Sequence, residues 1–257
     1  RMLSLSDAFS FDEVASWEKR TEKLLGSRPH EYFAELKMDG LAMSLIYEDG
    51  NFVQAVTRGD GSVGEDVTHT VRTVRTVPMK LHASKKVSQS VYAGRFEVRG
   101  EVVLPKKEFA RINAEREKEG LPLFANPRNA GAGSIRQLDA TVTASRRLEF
   151  ILFGIVDLVD ELPLHEDMLV CARELGFKVA PEAEVLRSLT ELEDYVHKVE
   201  DLRDKLPFGI DGLVISVNDR AAFYELGVVG KAPRGAVAYK FPAEQATTIL
   251  EDIRVSI

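Results

Sequence analysis

The spacing of apolar residues along the chain predicts several amphipathic helices. Between residues 9 and 26, apolar side chains recur at roughly helical spacing, and Gly26 follows as a stop. Ser188 and Glu191 have the spacing of a capping box, so they mark the start of another helix. The predicted helices cover residues 9–26, 106–120, 165–175 and 188–206.

Strands are predicted where short apolar runs are bounded by turn residues. The stretch "EDGN" (48–51) separates two such runs and is typical of a tight hairpin turn. Because hairpins join several runs, the pattern favours an α+β fold with antiparallel sheets, and we expect one compact domain whose two sheets face a cleft. The predicted strands cover residues 31–36, 41–47, 51–57, 96–104, 148–158, 211–217 and 236–241.

Composition and charge narrow the functional classes. The chain has 257 residues, of which 44% are hydrophobic and 29% are charged, as in ordinary globular domains. We expect no membrane segment, because no apolar run approaches the roughly 20 residues of a membrane helix. The single cysteine, Cys171, excludes an intrachain disulfide, and without a signal-peptide pattern we expect a reducing, cytoplasmic setting. A net charge of −7 argues against coating nucleic acid by bulk charge, although a local basic groove is compatible with it.

Two lysines interrupt apolar strands and are candidates for chemistry. Lys37 lies between apolar neighbours in "ELKMDGLAMSL", with Glu35 and Asp39 on either side. Either a solvated surface lysine or a lysine whose amine reacts would explain this position. Lys240 interrupts "AVAYKF", and because an unpaired buried lysine is costly, it either faces water or serves a site.

Further polar clusters lie in loops and on one strand. The loop "TRGDGSVGEDVT" (57–68) carries three glycines and Arg58, which suits the approach of backbone amides to an anion, while a plain surface loop is an equal alternative. Glu97, Arg99 and Glu101 share one strand face by period-two alternation, as an edge-strand salt-bridge ladder would also do.

A segment rich in glycine and alanine carries two more arginines. In "FANPRNAGAGSIRQLD", Arg128 and Arg136 lie near a helix, and a helix start with two arginines suits a phosphate. Tight helix packing is an equal alternative. Asp211 then begins the strand "DGLVISV".

These clusters, in this order, carry a resemblance. "ELKMDG" resembles the K-x-D-G nucleotidyltransferase motif. "TRGDGSVGEDVT", "EVRGEV", "FANPRNAGAGSIRQLD", "IDGLVISVN" and "AYKFPAE" resemble, in order, the remaining motifs of bacterial NAD-dependent DNA ligases. The resemblance runs from "MLSL" to the last residues. It implies the adenylation domain of that family, with an α+β nucleotidyltransferase (ATP-grasp-like) fold in which mainly antiparallel sheets and flanking helices surround a nucleotide cleft.

The resemblance implies a covalent mechanism. Lys37 would attack the α-phosphate of NAD and release nicotinamide mononucleotide, leaving a lysyl-AMP. The AMP would then pass to the 5′-phosphate of nicked double-stranded DNA, where the 3′-hydroxyl displaces it. Lysine reacts only as the neutral amine, so its reference pKa of about 10.4 must fall, and Lys240 is the cation expected to lower it. Mg²⁺ is expected to stabilise charge on the reacting phosphate, with its ligands unassigned.

The family's residue roles map onto matching positions of this chain. Lys37, Asp39 and Lys240 would be catalytic, with Lys240 neutralising the α-phosphate. Ser4, Leu5 and Glu35 would line the adenosine pocket. Arg58 and Glu101 would hold the nucleotide, with Glu101 at the ribose, and Asp211 would position metal or nucleotide. Arg128, Arg136 and Arg146 would face the DNA phosphates.

Two positions depart from the family pattern. Ser216 stands where the family normally has lysine, so we expect a cation to be lost near the phosphate and adenylation to be slow. Gly235 stands where tryptophan is usual, so we expect apolar packing beside Lys240 to be lost.

The resemblance also implies regions outside residues 1–257. In the family, a helical region that binds nicotinamide mononucleotide precedes "MLSL", and OB-fold, zinc-finger, helix-hairpin-helix and BRCT domains follow. We therefore expect the adenylation core alone, a monomer that handles NAD poorly. Two alternatives stay open. One is an ATP-using nucleotidyltransferase, and the other is a catalytically impaired module that binds nucleotide or DNA.

Overall fold

The computed structural model describes residues 2–29, 31–156, 158–180, 182–242, 249 and 252. The strands are β1 (Asp7–Ala8), β2 (Tyr32–Met38), β3 (Leu41–Glu48), β4 (Asn51–Thr57), β5 (Arg95–Val103), β6 (Glu149–Ile155), β7 (Glu184–Leu186), β8 (Ile210–Val217), β9 (Val228–Val229), β10 (Ala232–Pro233) and β11 (Ala236–Lys240). The helices are α1 (Phe11–Leu25), α2 (Thr68–Val71), α3 (Lys106–Lys118), α4 (Pro127–Ile135), α5 (Ala140–Ser145), α6 (His165–Glu174), α7 (Leu189–Leu202) and α8 (Arg220–Glu225), with a 3₁₀ turn at Gln89–Tyr92.

The predicted helix ends are confirmed where local chemistry marks them. The Ser10 side chain accepts a hydrogen bond from the Glu13 amide at the start of α1, and Gly26 ends that helix with a φ of 73°. At the start of α7, the Ser188 hydroxyl accepts from the Glu191 amide at 3.1 Å. These contacts satisfy backbone groups that a helix leaves unpaired at its ends.

The strands form two main antiparallel sheets and a small hairpin. One sheet has the order β1-β11-β8-β2-β7, and the other has the order β4-β3-β5-β6. Only the pairing of β1 with β11 is parallel among these two sheets in the described residues. Asp49 and Gly50 both have positive φ in the turn between β3 and β4, as the predicted hairpin requires. The predicted α+β fold with mainly antiparallel sheets is confirmed.

The hydrophobic core determines which face of the five-stranded sheet carries the polar residues of β2. On β2, Ala34, Leu36 and Met38 share a core cluster with residues of α1 and α7, including Trp17 and Tyr195. Full burial of one large apolar side chain contributes about 1.5–3 kcal/mol, so this cluster fixes which face of β2 points inward. Because side chains alternate along a strand, Glu35 and Lys37 lie on the opposite face.

A buried arginine ties α8 to the end of β6. Arg220 is 1% exposed and donates to the carbonyl oxygens of Leu158, Leu162 and Ile155 at 2.9, 2.7 and 3.2 Å. These bonds satisfy carbonyls that would otherwise be buried without a donor. None of the described helices has the length and apolar character needed to span a bilayer.

Candidate active site

The side chains of two lysines project from the same face of the five-stranded sheet, at paired positions in one row across the strands. The register of β2, β8 and β11 places Lys37 opposite Gly212 and Gly212 opposite Lys240. Directly paired residues point to the same face of an antiparallel sheet. A Cβ at Gly212 would lie 1.9 Å from the carbonyl oxygen of Tyr239, so this position requires glycine. The two lysines therefore flank a residue without a side chain.

Asp211 reaches the same face because of a β-bulge. Lys37 pairs with Gly212 while Met38 pairs with Ile210, which leaves Asp211 as the extra residue. A bulge re-aims a side chain that would otherwise alternate to the far face. The Lys37 Nζ atom lies 3.0 Å from Oδ1 and 3.1 Å from Oδ2 of Asp211. The Lys240 Nζ atom lies 2.5 Å from Oδ2, so both lysines share one carboxylate.

The shared carboxylate sets the charge of the cluster. Burial alone would raise the pKa of Asp211, but the hydrogen bond from Lys240 and the charge of Lys37 outweigh it, so the pKa is lowered. Burial alone would lower the pKa of Lys240, but the bond to Asp211 outweighs that effect and the pKa is raised. Asp211 thus stays ionised and Lys240 stays charged, and an anionic ligand would compete with Asp211 for that cation.

Glu101, on β5 of the four-stranded sheet, lies next to this cluster. Its carboxylate accepts a hydrogen bond from the Gly40 amide, and a Cβ at Gly40 would lie 2.3 Å from the Val102 carbonyl oxygen. Burial raises the pKa of Glu101 to about 7, while the charges of Arg128 and Lys37 work in the opposite direction. A carboxyl group that lies beside a lysine and has a pKa near 7 is typical of a functional site.

Ion pairs at the two ends of helix α4 link it to two of the predicted motifs. The Arg128 Nη1 atom donates to Asp39 Oδ1 at 2.8 Å, which links α4 to the "KMDG" turn. The Arg136 Nε atom donates to Glu65 Oε2 at 2.7 Å, which links α4 to the glycine-rich loop. Glu65 was not among the predicted site residues, although it lies within the predicted loop motif. Both arginine side chains are half exposed and can exchange these partners for another anion.

The glycine-rich loop bonds some of its own amides. The Arg58 amide donates to the carbonyl of Ala42 on β3, the residue that pairs with Glu101 of β5. However, the Asp60 carboxylate accepts hydrogen bonds from the amides of Ser62 and Val63 at 2.8 and 2.9 Å. These two amides are therefore bonded within the loop, as in the alternative of a plain surface loop, and an anion site at this loop stays a prediction.

Glu97 and Arg99 lie on the predicted face of β5, together with Glu101. The Glu97 Oε1 atom accepts from the Ser44 hydroxyl at 2.9 Å and from Arg99 Nε at 3.1 Å. Ser44 pairs with Arg99, and Ala42 pairs with Glu101, so all of these side chains share one face. The predicted alternation is confirmed.

Three further predicted residues lie on or next to the five-stranded sheet. Ser4 and Leu5 lead into β1, which pairs with β11, and the Ser4 amide donates to the Lys231 carbonyl at 2.9 Å. Glu35 lies on β2 two residues before Lys37, and it pairs with Val214 of β8.

Arg146 lines a separate cavity. It shares a cavity of about 190 Å³ with Arg111 and Arg116 next to α3. Burial and the charges of Arg116 and Arg111 lower the pKa of Arg146. The Arg146 guanidinium lies 5.8 Å from the centre of the Phe124 ring. Among the described residues, Arg146 has no ion pair with the Lys37 cluster, so the structure does not bring it to the other predicted residues.

The two departures from the family pattern lie away from the lysine pair. Ser216 pairs with Phe33, four residues along β8 from Gly212, which corresponds to about 13 Å of extended strand. Gly235 immediately precedes β11 at the end opposite Lys240, and a Cβ there would lie 2.7 Å from the Phe223 ring. The expectation of packing lost beside Lys240 is therefore corrected, and Ser216 is not in the row of the lysine pair. Both positions lie at the far end of the face, where Phe223 fills the space next to Gly235.

Comparisons with known proteins agree with this geometry. The family model described as NAD-dependent DNA ligase adenylation domain matches residues 1–244. The chain is 48% identical over 257 residues to a DNA ligase of Koribacter versatilis, and this alignment covers 100% of the chain and 38% of that relative. It is 47% identical over 258 residues to a DNA ligase of Thermomicrobium roseum, covering 100% of the chain and 37% of that relative. The chain therefore spans well under half the length of these relatives.

A solved structure supports the fold independently of sequence. An archaeal ATP-dependent RNA ligase superposes with a TM-score of 0.50 at 13% identity, covering 92% of this chain and 47% of that one. At this identity the likeness concerns the fold alone. It agrees with the nucleotidyltransferase architecture of two antiparallel sheets with flanking helices.

Proposed function

This chain belongs to the NAD-dependent DNA ligase adenylation domain family, and from that premise we propose that Lys37 takes AMP from NAD. The Lys37 amine attacks the α-phosphorus, the bond from that phosphorus to the pyrophosphate bridging oxygen breaks, and nicotinamide mononucleotide leaves with that oxygen. The amine attacks in its neutral form and then loses one N–H proton to solvent water, which gives a lysyl-AMP phosphoramide. The observation that carries the proposal is the row of Lys37, Gly212 and Lys240 with Asp211 bonded to both lysines.

Lys240 is the residue suited to the α-phosphate. It is held charged by Asp211, and it lies across one glycine from the attacking amine. When a phosphate approaches, Lys240 exchanges a carboxylate for a phosphate oxygen and neutralises the charge that develops there. Asp211 thus positions both lysines before the ligand binds. When Lys240 turns to the ligand, its ion pair with Asp211 is replaced by an ion pair with the phosphate.

The other residues take the roles that membership of the family implies. Glu101 binds the ribose and Arg58 the nucleotide, and both adjoin the β3 strand next to the Lys37 turn. Asp39 orients Arg128 through their ion pair. Ser4, Leu5 and Glu35 line the adenosine end, Asp211 positions the nucleotide, and Arg128, Arg136 and Arg146 meet DNA phosphates.

The site residues fit a magnesium ion held mainly by phosphate and water. Within the described ranges, no group of three or more histidine, cysteine, aspartate or glutamate side chains is arranged to hold a metal. Mg²⁺ usually keeps several waters and takes one or two carboxylates in addition to phosphate oxygens. Asp39, Glu101 and Asp211 are the carboxylates available for this, and the bound ion would stabilise charge on the phosphates.

We extend the proposal to the partners of the whole protein. Transfer of AMP to the 5′-phosphate of nicked double-stranded DNA needs cations for the DNA backbone, and α4 presents Arg128 and Arg136 on half-exposed positions. The chain would act as a monomer in the cytoplasm. The named relatives are DNA ligases, and their greater length leaves room for further DNA contacts.

Intact-mass spectrometry after incubation with NAD or ATP tests the proposal. We expect an AMP adduct from NAD on the wild-type chain and none on Lys37→Ala or Lys37→Arg. Lys19→Ala, on the exposed side of α1, is the control lysine and should keep the adduct. An adduct that survives Lys37→Ala, or that forms from ATP but not from NAD, would overturn the assignment. The absence of any adduct would favour a module that binds without reacting.

A further inference from the structure

Arg146 is a partly buried cation whose donors lack an acceptor within the described part of the chain. Its Nε atom is buried, and no described group accepts a hydrogen bond from the guanidinium. Burial and the charges of Arg116 and Arg111 disfavour the cationic form and lower its pKa. Because a buried charged donor without an acceptor is costly, Arg146 is suited to an anionic group of another molecule.

The cavity that Arg146 lines, here called the arginine cavity, is small and carries one net positive charge. Its volume is about 190 Å³, below the roughly 300–1,000 Å³ of pockets that enclose a drug-sized ligand. Its charged lining residues are Arg111, Arg116, Arg146, Glu115 and Glu119. Three positive charges less two negative charges leave one positive charge. The arginine cavity therefore fits a single anionic group of side-chain size.

The other two arginines of the cavity are held by bonds of their own. The Arg111 Nη1 atom donates to Glu115 Oε1 at 2.7 Å, so Glu115 already has a cationic partner. The Arg116 Nε atom donates to the Pro122 carbonyl oxygen at 2.6 Å. These bonds fix two walls of the arginine cavity. Arg146 differs from both, because its donors have no described acceptor and can serve a ligand.

One exposed leucine lines the arginine cavity, and a second follows in the same loop. Leu121 belongs to the lining and is 44% exposed, and Leu123 is 54% exposed. The Leu121 amide donates to the Arg116 carbonyl oxygen at 2.8 Å, which fixes this loop to the end of α3. Apolar side chains beside an arginine with available donors are typical of a surface that binds another protein.

We propose that the arginine cavity binds a carboxylate side chain of a protein partner, and that an apolar neighbour of that side chain covers Leu121. A carboxylate can form two parallel hydrogen bonds with one guanidinium, which gives both affinity and direction. Glu115 and Glu119 in the lining repel a long polyanion, whereas a single carboxylate matches the net charge of the cavity. The exposed leucines give a peptide, but not a phosphate, an apolar contact.

The inference goes beyond the proposed function. That function gives Arg146 a DNA phosphate, and a phosphate and a partner's carboxylate at this guanidinium would exclude each other. The arginine cavity would therefore let a protein partner bind the chain only where DNA does not reach Arg146.

NMR spectroscopy of arginine Nε–Hε groups tests the inference on the whole chain. The Arg146 Nε atom is buried, which slows exchange of its proton with water, and Arg146→Gln identifies its signal. The probe is the tripeptide leucyl-glutamyl-leucine with both ends capped, and we expect it to shift the Arg146 signal saturably. Leucyl-glutaminyl-leucine should bind roughly tenfold more weakly, because it lacks the charge. Alanyl-glutamyl-alanine should bind roughly threefold more weakly, because it buries less apolar surface.

Three variants relate this binding to the arginine cavity, with the Leu121 amide signal as reporter and circular dichroism as the check of folding. Arg146→Gln should weaken binding of leucyl-glutamyl-leucine roughly tenfold. Glu119→Gln removes a competing carboxylate from the lining and should strengthen binding about twofold. Arg147→Gln is the matched control and should bind like wild type, because Arg147 is 71% exposed and pairs with Glu108 at 3.2 Å, away from the lining.

Other anions decide the class of ligand. The inference would be overturned by the absence of a saturable shift of the Arg146 signal with leucyl-glutamyl-leucine, or by equal binding of the glutamate and glutamine tripeptides. Tighter binding of inorganic phosphate than of the tripeptide would overturn it as well. A shift caused by a nicked duplex but not by the tripeptide would assign Arg146 to DNA alone. An AMP adduct on Lys37 together with any of these results would reject this inference and leave the proposed function intact.

Discussion

Replacing Asp211 with asparagine removes the carboxylate that Lys37 and Lys240 share. Both ammonium nitrogens lie within 3.1 Å of its oxygens, so without it two like charges would face each other at roughly 5 Å. At an effective dielectric constant of about 20, that repulsion is about 3 kcal/mol. The three side chains are 21–30% exposed, so water and side-chain movement relieve part of it. We expect Asp211→Asn to lower the free energy of unfolding by about 2 kcal/mol.

Urea unfolding followed by circular dichroism measures this loss. At pH 7 it corresponds to a fall in Tm of about 4–8 °C for a chain of this size. Since the folded-state pKa of Asp211 is lowered, its contribution is fully present above the unfolded pKa of about 3.9 and is lost as the pH falls through the folded pKa. The difference between wild type and variant should therefore be constant from about pH 5 to 8 and shrink below about pH 4.

Glu65→Gln is the matched control for a carboxylate in an ion pair. Its side chain is 60% exposed and that of its partner Arg136 is 50% exposed. An exposed pair contributes little, so we expect a loss below about 0.5 kcal/mol. If Asp211→Asn were as stable as wild type at pH 7, or matched Glu65→Gln at every pH, the shared carboxylate would not organise the lysine pair.

Three further substitutions probe close approaches and buried donors. Gly40→Ala should lower the free energy of unfolding by more than about 2 kcal/mol in calorimetry, because its Cβ would lie 2.3 Å from the Val102 carbonyl oxygen. Arg220→Met should cost about 3–5 kcal/mol in urea unfolding, since three carbonyls lose a buried charged donor. Gly235→Ala should cost about 1–3 kcal/mol in urea unfolding, because Cβ would meet the Phe223 ring at 2.7 Å, and Phe223→Leu in the same chain should restore part of it.

Gly133→Ala is the control for the two glycine substitutions. Gly133 lies in α4 with no atom within 4 Å of the added Cβ, so the change should be neutral or stabilise by up to about 1 kcal/mol. Equal losses for Gly133→Ala and Gly40→Ala would show that glycine loss in general, rather than close approach, sets the effect. An Arg220→Met chain as stable as wild type would mean that the three carbonyls find other donors.

Local sequence patterns predicted the helices and hairpins whose ends are marked by capping or turn residues. Helix α1 begins at a serine cap and ends at Gly26, and the β3–β4 hairpin is closed by Asp49 and Gly50. These features act within a few residues and are visible in sequence. The short elements α5, α8 and β7 were not predicted, because helices of six residues and a strand of three obtain their stability mainly from packing.

The sequence by itself determined the family, the polar clusters and the alternation that puts Glu35 and Lys37 on one face. Only the tertiary structure decided how those clusters meet, since pairing register and the bulge at Asp211 depend on strands distant in sequence. It also decided that Ser216 lies beyond Glu35 rather than beside the lysine pair, and that Phe223 occupies the space at Gly235. Sequence spacing defines positions along a strand, whereas neighbours across strands are fixed by packing, and the chemistry of this site is made between strands.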